Sequence, residues 1–184
     1  QSSRWKVISR DPSYHGSTLG ALALTGYAPL ADPFLPMMQP MPKIPAPRAY
    51  LDGLDINDAA TGAYYAAMLE DKIQEEGADS VLAFIVEPIG GASTGALVPP
   101  AGYMQAAREI CDRYGVLLIH DEVMSGGGRT GKFMGAEHFG VEPDIIAISK
   151  GFGAGYAPLG AMIAHDRLVD PVLDAGGFLH GHTY

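Results

Sequence analysis

Five polar side chains stand at the ends of apolar runs in this sequence. Glu87 closes "SVLAFIV", His120, Asp121 and Glu122 close "VLLI", and Lys150 closes "DIIAIS". A lysine in that position is expected to be buried, where desolvation favours the neutral amine. A neutral amine is a nucleophile that can form a Schiff base with an aldehyde. Pyridoxal phosphate is the common cofactor that uses such a bond, and its pyridine nitrogen needs a carboxylate partner to stay protonated. Asp121, 29 residues before Lys150, would supply that charge. Side chains alternate along a strand, so Asp121 faces away from His120 and Glu122, which are read as structural. The residues alone leave a second reading open, a buried Lys150–Asp121 ion pair.

The elements around these residues alternate in type. "WKVIS" (5–9) reads as a short strand, and "SYHGSTLGALALTGY" as a turn followed by a short apolar helix. Residues 36–47 hold Pro36, Pro40, Pro42, Pro45 and Pro47, a density that predicts an extended surface loop. Residues 57–76 read as a helix with Asn57 as N-cap and Gly77 beyond its end. "GYMQAAREICDRYG" is amphipathic, with Met104, Ala107, Cys111 and Tyr114 on one face and Gly115 as terminator. "SVLAFIVEP", "VLLIHDEV", "DIIAISK" and "LGAMIAH" read as strands, the first two buried on both faces. Strands alternating with helices predict an α/β domain with a mostly parallel sheet flanked by helices. Ligands in such sheets sit at the carboxyl ends of the strands, where the five polar residues lie.

Several other chemistries are excluded. Gly126, Gly131 and Lys132 of "SGGGRTGKF" fit G-x-x-x-x-G-K, but a phosphate-binding loop needs Ser or Thr after its lysine, and Phe133 stands there. In "GFGAGYAPLG" no frame gives G-x-G-x-x-G. His180 and His182 are read as solvated or packed rather than metal-binding, so no metal is expected. The net charge is −9 and the 12 Lys and Arg are scattered, which argues against nucleic acid. No apolar run reaches the ~20 residues of a membrane span. The single cysteine, Cys111, is read as a core residue, and its solitude fits a reducing, cytoplasmic setting. Glycine is abundant, 24 of 184 residues against about 13 in an average chain. That abundance suits a backbone that approaches other groups closely.

The stretch "HDEVMSGGGRTGKFMGAEHFGVEPDIIAISKGFGAGYAPLGAMIA" resembles the signature of the class III (subgroup II) aminotransferases, fold type I enzymes that use pyridoxal phosphate. The five segments D-E-V, G-R-T-G-K, P-D-I, S-K-G and P-L-G-A occur in order and at the family's spacing, and "YHGSTLGALALTG" and "HGHTY" extend the likeness to both ends. The resemblance implies that Lys150 is the Schiff-base lysine and proton shuttle, and that Asp121 partners the pyridine nitrogen. It further implies that Val123 and Tyr14 pack on the two faces of the ring and that Glu87 lies near the cofactor's hydroxyl. Thr183 would reach the phosphate of the neighbouring subunit's cofactor in a homodimer. The implied reaction moves an amino group from an amino acid or amine to a keto acid. An aminomutase or decarboxylase of the same fold, and a noncatalytic relative, are the alternatives.

The sequence departs from the ornithine-type members at two places. Ala92 stands where they carry a second glutamate, and Gly90 where they carry glutamine. The departure leans towards ω-amino acids or simple amines with pyruvate. The chain opens without an initiator Met and closes without a terminal element. It is expected to be the central part of the cofactor-binding large domain, inactive alone. The upstream phosphate-binding segment and the C-terminal small domain would lie outside it.

Overall fold

The computed structural model describes residues 3–177. In chain order the elements are β1 (Lys6–Asp11), α1 (Leu19–Leu24), α2 (Ala28–Ala31), β2 (Lys43–Pro45), α3 (Ala59–Glu76) and β3 (Val81–Val86). They continue with α4 (Tyr103–Tyr114), β4 (Leu117–Asp121), β5 (Ile145–Ile148), β6 (Ala161–Ala164) and α5 (Asp166–Asp174). The strands form one six-stranded sheet in the order β2-β1-β3-β4-β5-β6. Every pairing is parallel except the last, where β6 runs antiparallel to β5. The expected mostly parallel α/β sheet is therefore present.

One face of the sheet carries the core. Ile8, Phe84, Val86 and Leu118 pack there against Tyr65, Leu69 and Ile73 of α3 and Tyr103, Met104, Ala107 and Cys111 of α4. Complete burial of each large apolar side chain contributes about 1.5–3 kcal/mol, so this layer dominates the stability. The helices stop where backbone chemistry requires. Asp58 caps α3 by accepting the Ala60 amide at 2.8 Å, one residue beyond the expected Asn57. Asn57 instead donates its amide N–H to Asp55. Gly77 (φ 81°) and Gly115 (φ 61°) end α3 and α4 in conformations that a side chain rarely adopts. Burial pushes the Cys111 thiol up to about 12, which fits a core residue and not a nucleophile.

Two expectations need correction. The proline-rich stretch is not loop throughout, because Lys43–Pro45 pairs with Ser9–Asp11 as an edge strand and buries Ile44. An edge strand needs no donor on its outer side, so Pro45 is tolerated there. The central strands are also not buried equally on both faces. Leu117 and Ile119, on the face opposite the helices, are half-buried, because no element among the described residues packs fully over them. Asp121 lies on that more open face.

His120 lies on the closed face. It is fully buried, and neither ring nitrogen has a hydrogen-bond partner among the described residues. Burial, reinforced by Arg108 and Arg10, pushes its pKa down to about 3. Folded His120 thus stays neutral, while the unfolded chain takes up a proton below the ordinary 6.5. Its stabilising contribution is intact above pH 6.5 and declines as the pH falls towards 3, by at most about 1.4 kcal/mol per pH unit. Denaturation of wild type and H120L between pH 7 and 5 should show a flatter pH dependence in the variant. Equal slopes would contradict a neutral His120.

Candidate functional site

Lys150 opens a short 3-10 turn, Lys150–Gly153, directly after β5. Its backbone takes φ 44°, a left-handed conformation that costs a residue with a side chain about 1–2 kcal/mol. Such strain persists only where the surroundings impose it. The imposing element is the glycine-rich loop. A Cβ on Gly127 would stand 2.5 Å from the carbonyl carbon of Gly151 and 2.6 Å from the Phe152 nitrogen. The two backbones are thus in direct contact. Glu122, fully buried, fixes the loop from below. Its carboxylate accepts the amides of Gly135 at 2.9 Å and Ala136 at 2.8 Å and the hydroxyl of Ser125. The "GGGRTGK" run is therefore a backbone clamp on the lysine turn, and Glu122 is structural as expected.

Asp121 is held on both oxygens. Oδ2 lies 2.8 Å from His15 Nδ1, and Oδ1 accepts the Val123 amide at 3.1 Å. A carboxylate only accepts, so His15 carries its proton on Nδ1. The imidazole is almost completely buried, and its Nε2 has no partner among the described residues. The His15 amide donates to Thr25 Oγ1 at 3.0 Å, which ties the turn after β1 to the end of α1.

Glu87 follows β3 and is buried. Its Oε1 accepts the Gly91 amide at 3.0 Å, and its Oε2 meets the Tyr14 amide at 3.5 Å. Fully buried Arg10 donates from Nη2 to the Glu87 carbonyl at 2.8 Å, joining the ends of β1 and β3. One carboxylate thus sets two segments around a cavity of about 390 Å³. Its lining includes Tyr14, Tyr27, Leu30, Glu87, Gly91, Met124 and Lys150.

The structure gathers Tyr14, Glu87 and Lys150 around this cavity. Asp121 and Val123 do not line it but adjoin residues that do, Asp121 through His15 beside Tyr14 and Val123 through Met124. Thr183, His180 and His182 lie outside the described residues. No group of three or more metal-ligating side chains occurs among the described residues, and no helix there is long and apolar enough to cross a membrane.

Among the described residues Lys150 is exposed rather than buried, standing in the turn beyond the end of β5. The Lys150–Asp121 ion pair is not formed; Asp121 pairs with His15, and the Lys150 amine lies 3.0 Å from Met124 Sδ. His15 and Met124 escaped the sequence reading. His15 sits within the quoted "YHG", but no local pattern links it to a carboxylate 106 residues away.

Comparison with known proteins adds independent findings. The model of the family "Aminotransferase class-III" matches residues 1–184. A probable aminotransferase of Mycobacterium tuberculosis is 43% identical over 180 residues, covering 97% of this chain and 38% of the relative. The putrescine–pyruvate aminotransferase of Pseudomonas aeruginosa is 40% identical over 178 residues, covering 97% and 39%. An (S)-enantioselective omega-transaminase from Thermomicrobium roseum superposes with a TM-score of 0.90 at 38% identity, covering 99% of this chain and 40% of that one. The chain spans about two fifths of the length of these curated relatives.

The backbone clamp has a measurable consequence. A G127A substitution drives a methyl group into the Gly151–Phe152 peptide and also strains a position at φ 67°. It is expected to cost about 1–3 kcal/mol and to change the labelling of Lys150 by an amine-reactive reagent. Unchanged stability and labelling would contradict the contact.

Proposed function

The chain belongs to the class III aminotransferase family and has the fold type I architecture of its transaminase neighbours, and from that membership we propose that the protein is a pyridoxal phosphate-dependent aminotransferase acting through Lys150. The observation that carries the proposal is convergence. Tyr14, Glu87 and Lys150, from three separate strand ends, meet at one cavity. A carboxylate with both oxygens oriented stands two residues before Val123.

The residues suit the cofactor. An aromatic wall, an accessible primary amine and a fixed, nearly buried carboxylate are the groups that a flat cationic heterocycle bearing an aldehyde requires. Bound there, pyridoxal phosphate would supply an aldehyde for amines to condense with and a ring that takes up the electron pair released at the substrate's Cα. Asp121 would keep the proton on the ring nitrogen, and the His15 hydrogen bond would hold that carboxylate in one orientation. Tyr14 and Val123 would pack on opposite ring faces. Glu87 would fix the Tyr14 and Gly91 walls near the ring hydroxyl. Lys150, freed when the amino donor condenses, would take a proton from Cα as general base and return it as general acid.

The amino donor would be an ω-amino acid or simple amine, and the acceptor a keto acid such as pyruvate. Ala92 at the cavity supports this, since ornithine-type members carry a glutamate at that place. The chain would be the central part of the large domain of a cytoplasmic homodimer, with Thr183 reaching the neighbouring subunit's cofactor phosphate.

Borohydride reduction of the full-length protein incubated with pyridoxal phosphate, followed by peptide mass mapping, tests the proposal. A pyridoxyl group on Lys150, absent from K150A, is the expected result. D121N should keep the fold and lose most transamination. A folded protein with Lys150 unmodified would overturn the reading.

A further inference from the structure

One wall of the cavity has no part in the reaction as described. Met124 follows Val123, whose amide is fixed by Asp121, so the backbone entering Met124 is anchored to the carboxylate. Its side chain is confined on the other side. A Cβ on Gly91 would come within 3.0 Å of Met124 Cγ. Between these constraints the thioether reaches Lys150, with Sδ 3.0 Å from Nζ. Sδ is the one hydrogen-bond partner of that amine among the described residues.

Lysine has a flexible four-carbon stem with about 2 kcal/mol of rotamer entropy. Lys150 is exposed, and among the described residues no carboxylate pairs with its amine. We infer that Met124 is a positioning residue for Lys150, its sulfur accepting an N–H and holding the amine at the cavity wall. The inference rests on the proposed role of Lys150. A thioether suits the task because it is a weak, polarizable acceptor on an unbranched side chain. It orients the amine yet yields it when a carbonyl arrives, and can receive it again when the amine is displaced. A carboxylate at position 124 would hold an ammonium instead and oppose the neutral form that attacks.

The test is the rate at which the cofactor-free, full-length protein captures pyridoxal phosphate, followed by reductive trapping and quantified at Lys150 across a pH series. M124L keeps the volume and removes the acceptor, whereas M124Q keeps the length and supplies an oxygen acceptor. Loss of this weak hydrogen bond predicts capture about threefold slower in M124L. M124Q should stay within about twofold of wild type, with all three proteins melting alike. A role in packing alone would slow both variants together or neither, and either outcome overturns the inference. Failure of the wild type itself to be trapped at Lys150 would instead overturn the aminotransferase reading, so the two failures are distinct.

Discussion

The site depends on the hydrogen bond between His15 Nδ1 and Asp121 Oδ2. It joins the turn after β1 to the end of β4, two segments 106 residues apart. Both side chains are nearly buried, so the bond forms in a medium where an unpaired partner would be costly. It fixes the position of Tyr14, the residue before His15, relative to the carboxylate, and the Val123 amide fixes the second oxygen. Aromatic wall, carboxylate and the start of the glycine-rich loop are thereby referred to one point.

The parallel sheet makes that arrangement available. β1, β3, β4 and β5 all end at the same edge, so the residues that follow them are neighbours in space although distant in sequence. Each end carries its own bracing. Arg10 grips the Glu87 carbonyl and Glu122 gathers the loop amides, while Asp144, at the opposite end of the strands just before β5, braces the start of β4. The Asp144 carboxylate accepts the Leu118 amide at 2.7 Å and pairs with Arg108 at 2.9 Å. Burial alone would raise its pKa, but these donors together with Arg167 outweigh that and hold it below the usual carboxylate value. Arg10, Glu122 and Asp144, which do this bracing, are buried, while the amine proposed for chemistry is accessible.

Much of this was legible in the sequence, for identifiable reasons. Apolar runs of strand length, separated by a capped helix and an amphipathic one, specify alternation, and alternation specifies a parallel sheet. Glu87 and Lys150 were legible because a polar residue closing an apolar run must sit at a strand end, whereas Tyr14 closes no such run and was marked only by the family resemblance of "YHG". Burial was less legible. The composition of "VLLI" suits a strand covered on both sides, and it cannot state which elements do the covering. Lys150 was therefore expected to be buried and is exposed. Ile44 was missed for the opposite reason, since prolines on either side mask a strand whose outer edge needs no donors. His15 and Met124 were missed because their roles are pairwise and long-range, and local pattern carries no information about a partner.

The reactivity proposed for Lys150 depends on how the fold holds it. What distinguishes Lys150 from the other surface lysines is geometry. It has a left-handed backbone at φ 44°, a loop pressed against its turn by Gly127, and one soft acceptor at the end of a long stem. The backbone strain and the glycine contact are two sides of one feature, since the turn can approach the loop so closely only where neither Gly127 nor Gly151 has a side chain. The glycine run that suggests a nucleotide loop thus has a different physical purpose. Its lack of side chains lets one backbone fix another, and the fixed backbone places an amine at the cavity.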